Sequence, residues 1–458
     1  MFATPSLIIH VAFFLLTGAI LCLLLEIAGS PEGIRKSGQK PHISLVALLS
    51  LLGAVFYFLQ APRLNLPLFW GTLDPLARIS VFLSAMPVVS SFSLAIPQMR
   101  HISQERGECY ALILISFLLS IILCVSHEIL YFAISAFLWL LLHIIFLFFR
   151  GSRQITSTLG IKMVLYAGFW FILMALCLAL HMGAPSKIYL IFAWIGVLTF
   201  MGATPFFWFH TAYLEGAPSF AALSFASGTL IGTGTFVVRL FQITHNSGLF
   251  TSSLQNLLLC IAGLSLLIPP ILALDQRKIG PMCIYLILTS PGIILATAIS
   301  SYSELSLVLL FSNLAIALPG VIGGLHFWKQ AANAQKTWED YAGAGRKHPL
   351  IASAWLLLMS SLVGIPGTLG FAIRIHLIEN SFHQHNFILG HALWIAIILG
   401  AAPIARLGIF MFAKPTQYEL NKYHRPRQTY LIITCAALIL VGGLVPQILA
   451  SQMLELFQ

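Results

Sequence analysis

From Leu7 to Leu25 the chain carries no Asp, Glu, Lys or Arg, and runs of the same kind recur to its end. A stretch of about 20 apolar residues crosses the hydrocarbon core of a bilayer as a helix. In lipid every backbone N–H and C=O must be satisfied internally, which leaves only helices or closed barrels. The runs here are continuous rather than alternating, and that selects helices. Only 8% of the 458 residues are charged and 59% are hydrophobic, whereas soluble domains carry roughly 25% charged residues. So few charges could not cover the surface of a water-soluble fold. Soluble enzymes, secreted disulfide domains and disordered chains are thereby excluded.

Cutting the runs at their breakers predicts fourteen spans, at about 5–25, 43–61, 77–97, 108–125, 128–149, 160–181, 188–209, 217–242, 254–274, 281–301, 304–326, 350–378, 387–412 and 428–449. The cations test this division. Of the 24 Lys and Arg, seventeen fall in odd-numbered loops and only Arg63 and Lys187 in even-numbered ones, with five inside spans. Loops rich in Lys and Arg stay in the cytoplasm, so both termini are expected on the outer side. The net charge of +10 is then a topology signal, not the footprint of a nucleic-acid partner. The seven cysteines are scattered without a CxxC and read as small buried hydrophobes. The first run lacks a positive leader and is long enough to span, so it is expected to remain in the membrane. The longest loop, about 327–349, is too short to fold alone.

Two spans contain breakers of a particular kind. One is Gly202-Ala203-Thr204-Pro205, followed by Glu215-Gly216-Ala217-Pro218; the other is Gly364-Ile365-Pro366-Gly367-Thr368-Leu369-Gly370. Proline removes a backbone donor and glycine loosens the local conformation. At membrane depth such a break survives only where protein or a wet cavity satisfies the freed groups. The breaks fall in spans 7 and 12, each the fourth helix of a five-helix block, spans 4–8 and 9–13. Matching placement predicts an all-α membrane protein with two inverted five-helix repeats, an architecture common in transporters. The expected division is an N-terminal three-helix segment (1–107), a first repeat (108–242), a second repeat (254–412) and a C-terminal helix (428–458).

The stretch Pro205 to Phe241, with Tyr213-Leu214-Glu215-Gly216-Ala217-Pro218 at its centre and Val238-Arg239-Leu240-Phe241 at its end, resembles the antiporter-like subunits of respiratory complex I, most closely the N-type subunit of bacterial NADH:quinone oxidoreductase. Glu108-Cys109-Tyr110-Ala111, Leu274-Asp275-Gln276-Arg277, Gly364-Ile365-Pro366 and Val445-Pro446-Gln447 extend the likeness in collinear order along nearly the whole chain. The chain ends soon after the fourteenth span, which favours the N-type over the largest, L-type subunit.

The resemblance implies a line of buried Lys, Glu and His that moves protons at mid-membrane, where ionisable residues are costly and therefore functional candidates. Carried over position by position, that line is largely gone. The glutamate of the fifth helix falls on Ala136, the seventh-helix lysine on Phe200 and the eighth-helix lysine on Leu230. The histidine after Pro-Phe becomes Phe207, and the Lys-Arg pair opening the tenth helix becomes Gly280-Pro281. Only the twelfth-helix lysine keeps a cation, as Arg374. No Asp or Glu lies near the middle of any predicted span.

The proton-path candidates are Lys162, Arg239, His326, Arg374 and His376. Each has a plainer alternative. Lys162 can snorkel at the start of span 6. Arg239 can satisfy backbone carbonyls, as can Arg406. Arg374 and His376 can bridge the broken helix, and His326 can be a hydrogen-bonded packing residue. Arginine stays protonated at ordinary pH, so it fixes charge better than it relays protons. The broken-helix candidates are Pro205, Gly216, Pro218, Gly364, Pro366 and Gly370.

The resemblance implies a membrane-arm subunit of a proton-translocating NADH:quinone oxidoreductase in a bacterial inner membrane, partnered by other membrane-arm subunits and the lipid bilayer, with no nucleic acid. NADH, FMN, iron–sulfur clusters and quinone are expected on partner subunits and no cofactor on this chain, which has no Gly-rich phosphate loop and no cysteine ligand set. Two mechanisms stay open: a rewired proton path, or a channel that has degenerated into a rigid spacer. The alternatives in function are a multisubunit cation/proton antiporter, a membrane-bound hydrogenase arm, and an unrelated solute transporter with an inverted repeat.

Overall fold

The computed structural model describes residues 5–28, 41–59, 66–68, 71–101, 107–149, 153–183, 187–246, 252–300, 304–331, 337–415 and 426–457. The loop cations Arg35, Lys36, Lys40, Arg106, Arg150, Lys336, Lys422 and Arg425, and Arg63 of an even-numbered loop, lie outside the described residues.

The chain is a bundle of helices: α1 (Pro5–Ala28), α2 (Pro41–Leu59), α3 (Pro75–His101), α4 (Gly107–Val125), α5 (Ile129–Phe146), α6 (Arg153–Gly183), α7 (Lys187–Met201), α8 (Trp208–Gly216), α9 (Ser219–Ser227), α10 (Thr233–Asn246), α11 (Ser252–Asp275), α12 (Ile279–Ile287), α13 (Ser290–Ile299), α14 (Glu304–Ala331), α15 (Ala344–Lys347), α16 (Pro349–Val363), α17 (Leu369–His383), α18 (Phe387–Phe412), α19 (Pro426–Leu444) and α20 (Pro446–Phe457). Six of them start on proline, whose missing N–H is one that a first turn leaves unpaired anyway. One small element falls outside the all-α expectation. Leu66–Leu68 (β1) pairs antiparallel with Gly71–Leu73 (β2) between α2 and α3.

Among the described residues, ten segments are long and apolar enough to cross a membrane, and four shorter apolar helices, His10–Glu26, Ile43–Leu59, Ile188–Met201 and Pro349–Val363, complete the fourteen predicted spans. Two of the four short ones are α7 and α16, which are short because the breaks cut them. Three differences from the sequence reading have local causes. The tenth span is two helices, α12 and α13, divided at Leu288–Thr289, with Pro291 in the first turn of the second. The fourteenth ends at Leu444, and Pro446 opens α20. The eighth is α9 and α10 joined by a π-helical turn at Gly228–Gly232.

Burial sorts these elements into inner and outer rings. From Phe220 to Leu240 the chain is wholly enclosed, and most of Leu305–Trp328 is buried, whereas only about a third of the apolar stretch within Ser157–Leu180 on α6 is buried. Its outward residues include Ile161, Leu165 and Ile172, a surface suited to lipid. α14 packs against α3, α9, α16, α17 and α19, which makes it the axis between the halves. At the end carrying Arg277, Lys278, Arg346, Lys347 and Lys414, here the basic end, the 337–348 segment is tied down. Trp338 Nε1 donates to the Gln276 carbonyl at 2.8 Å. Arg346 donates to the carbonyls of Phe412 and Ala413 at 2.6 and 2.9 Å, capping α18. The Arg406 guanidinium lies 4.5 Å over the Trp338 ring.

Candidate functional site

The two breaks are built alike. α7 ends at Met201, and Gly202 follows with φ of 76°. α16 ends at Val363, and Gly364 follows with φ of 83°. Positive φ ends a helix at little cost only for glycine. In each case the carbonyl two residues before the glycine is taken by a side chain from the returning half-helix. His210 on α8 meets the Phe200 carbonyl through Nε2 at 2.9 Å. Arg374 on α17 donates to the Leu362 carbonyl through Nη2 at 2.9 Å. A Cβ on Gly202 would come within 2.7 Å of the His210 ring, and one on Gly364 would strike the Arg374 side chain. Both side chains lie against the carboxyl end of a half-helix, where the helix dipole favours positive charge.

Further partners meet other backbone groups around the breaks. Tyr166 donates to the Thr199 carbonyl at 2.8 Å and Trp170 to that of Gly196 at 2.9 Å. The Thr204 N–H donates to Ser265 on α11 at 2.9 Å, which joins the first break to the second repeat. At the second break Ser361 donates to Asn313 of α14 at 2.5 Å and receives the Gly370 N–H at 3.2 Å. Pro205 and Pro366 lie inside the breaks, while Gly216 and Pro218 mark the turn from α8 into α9.

Between the breaks and α10 the interior is aromatic. Phe132 of α5 stacks on Phe236 of α10 with centroids 4.1 Å apart. Phe200 closes on Phe132 at 5.8 Å and on Trp170 at 5.5 Å. All four side chains are buried, and so are Ala136 and Leu230. The positions where the resemblance implies a Glu and two Lys are thus filled by packed apolar groups. Towards the basic end lie two buried histidines. His143 meets the Trp139 carbonyl through Nδ1 at 2.8 Å, and its ring and that of His210 both pack on Phe225, at 5.3 and 5.2 Å.

The predicted path residues do not converge. Lys162 is exposed on the outer face of α6 beside Ile161 and Leu165, while Leu159, Met163 and Tyr166 supply that helix's buried side. Arg239 is buried near the end opposite the basic one. It pairs with Asp74 at 2.6 Å and donates to the carbonyls of Cys124 and Ser126, both at 2.8 Å, closing the carboxyl end of α4. His326 is buried near the basic end of α14, with Nδ1 3.1 Å from the Ser219 hydroxyl. Arg374 is buried at the second break, and His376, two residues beyond and so on the other side of the helix, is half-buried.

Sequence reasoning passed over two residues. His210 lies eight residues after the helix-ending Gly202, as Arg374 lies ten after Gly364, and its place at a span end does not single it out by sequence. Asp74 reads as a helix cap, since Asp-Pro at a helix start is a common N-terminal pattern, and its Oδ1 accepts the Ala77 N–H at 2.8 Å.

Residues 125–400 match the family described as NADH:quinone oxidoreductase/Mrp antiporter, TM. The chain is 23% identical over 255 residues to NADH-quinone oxidoreductase subunit N 2 of Thermodesulfovibrio yellowstonii, covering 54% of this chain and 53% of that protein. It therefore spans about half the length of the first curated relatives it matches. A subunit of respiratory complex I from Thermus thermophilus superposes with a TM-score of 0.81 at 17% identity, covering 96% of this chain and 98% of that one. A subunit of the Mrp complex from Dietzia sp. superposes with a TM-score of 0.79 at 12% identity, covering 100% and 97%. These structures share the fold, and the family match takes in both breaks of this chain. The chain belongs to the NADH:quinone oxidoreductase/Mrp antiporter transmembrane family.

Proposed function

We propose that this chain is an N-type membrane-arm subunit of a proton-translocating NADH:quinone oxidoreductase. The observation that carries this reading is the pair of broken helices, each closed at its carboxyl end by a basic side chain from the returning half. Such breaks are where transporters of this build bind and pass charge. On this reading NADH, FMN, iron–sulfur clusters and quinone belong to partner subunits, and the chain contributes no cofactor. It sits beside other membrane-arm subunits in a bacterial inner membrane. The bias of Lys and Arg towards odd-numbered loops supports a cytoplasmic basic end and outer termini.

The aromatic packing of Phe132, Trp170, Phe200 and Phe236 closes the central line of the first repeat to protons. This copy therefore does not move them between α5 and α7. The likeness to the Mrp subunit supports a second reading, a subunit of a multisubunit cation/proton antiporter. Purification through a tag on this chain separates the two. Recovery of flavin- and iron–sulfur-containing partners with rotenone-class-sensitive NADH oxidation is the expected result. Recovery of small membrane subunits alone, without redox partners, sinks the first reading in favour of the second.

A further inference from the structure

We propose that protons cross this chain along a hydroxyl-lined seam between α3, α4 and the α9–α10 helix, entering at His326 and leaving at Asp74. The proposal rests on the membrane-arm reading for its purpose, but its chemistry is carried by residues outside the central line.

The seam starts at the basic end. A small cavity of about 20 Å³, large enough for one water, is lined by Leu214, Ser219, Ala222, Ile284 and Leu325, among others. It abuts Ser219, whose hydroxyl lies 3.1 Å from His326 Nδ1. One turn further in, Ser224 of α9 donates to Ser116 of α4 at 3.0 Å. Ser91 of α3 donates to the Phe220 carbonyl at 3.2 Å and holds α3 against the same line. Beyond the centre, Thr235 of α10 donates to Ser80 of α3 at 2.9 Å, and the Cys124 thiol of α4 interacts with Thr235 and Ser84. The line ends at Asp74, whose side chain is 30% exposed and paired with Arg239.

Between the two hydroxyl pairs stand Ser120 and Ser227. Both are wholly buried, and neither hydroxyl oxygen has a hydrogen-bond partner among the described residues. Buried polar atoms normally find one, and the usual remaining partner is water. Ser116, Ser120 and Cys124 are spaced four apart and so share one face of α4. Neighbouring steps along that face are about 6 Å, a gap that one bridging water closes. From Ser219 to Arg239 the helix advances about 30 Å, the thickness of the hydrocarbon core.

The chemistry needs only exchange of O–H and N–H bonds. A proton from solvent, relayed through the cavity water so that the water is left unchanged, reaches Ser219 and the His326 imidazole beside it. Each hydroxyl then accepts one proton and, once it rotates away from the carbonyl of its own helix (Ser116 from Ile113, Ser80 from Leu76), passes its own forward, so no group is consumed. Asp74 receives the last and releases it to solvent. Arg239 keeps its two carbonyl partners throughout, so neutralising Asp74 does not strand the guanidinium. Neutral hydroxyls cost far less at mid-membrane than a buried Lys or Glu.

The test is passive proton flux into liposomes holding the full-length chain, driven by a potassium–valinomycin potential and read by an enclosed pH dye. It needs no redox partner, so its failure is distinct from failure of the membrane-arm reading, which the purification experiment decides. Thr235→Val removes one link at constant shape. Flux should fall about tenfold, as expected for losing one hydrogen bond's worth of barrier stabilisation. Thr235→Ser should restore it. Asp74→Asn should cut it similarly. Thr229→Val, whose hydroxyl is bonded within its own helix to Phe225 and Ala226, should leave it unchanged. The proposal is overturned if wild-type liposomes conduct no better than protein-free ones, or if Thr235→Val conducts like wild type. Either result makes the hydroxyls helix-packing contacts only.

Discussion

Gly202 and Gly364 show how much one residue can carry in this chain. Each takes a left-handed conformation, and the space a Cβ would need is held by the side chain that closes the break. Gly202→Ala and Gly364→Ala should each lower stability by at least about 1–2 kcal/mol from backbone strain alone, with steric cost added. Thermal unfolding in detergent checks this, and wild-type midpoints for both would remove the argument. His210→Phe keeps the ring stack with Tyr166 and Phe225 but leaves the Phe200 carbonyl unmet. That should cost about 1–3 kcal/mol, and His210→Gln, which can still donate, should recover part of it. Glycine and proline made the breaks legible in the sequence. The closing side chains were only half legible: Arg374 stands out as a cation within a span, whereas His210 gains its role only when α8 folds back over α7.

At the scale of elements, α5, α7 and α10 meet in a packed apolar interior where the resemblance implies charged residues. Phe200→Lys would bury an ammonium between Phe132 and Trp170 and should strongly reduce folded yield. Adding Ala136→Glu supplies a carboxylate on α5, so the double variant should be more stable than the single lysine variant. A double-mutant cycle on detergent-resistant yield measures this coupling, and additive losses would mean that the two positions do not face each other. Span existence and the two main breaks were readable because apolar length and Pro/Gly punctuation act locally. The α12–α13 division and the π-helical turn at Gly228–Gly232 were not. The π turn gives no composition signal, and a gap of two residues at Leu288–Thr289 is too small to interrupt a hydropathy run.

For the whole molecule, the separation of Lys and Arg between loops predicts that a reporter fused after Gln458 faces the outer side. An alkaline phosphatase fusion there should be active and a green fluorescent fusion dark; the reverse pattern would invert the proposed topology. Hydropathy and charge by themselves determined that the chain is a many-spanning helical bundle, roughly where the spans lie, and that mid-membrane carboxylates are absent. Those properties follow from the cost of placing unpaired charge or open backbone in lipid, which depends on each segment alone. Tertiary structure decided the rest. It turned Lys162 outward, joined Arg239 to Asp74 across 165 positions, and set Ser116 against Ser224 and Ser80 against Thr235. Serine and threonine carry no strong hydropathy signal, so a line of them becomes visible only when three helices bring their faces together.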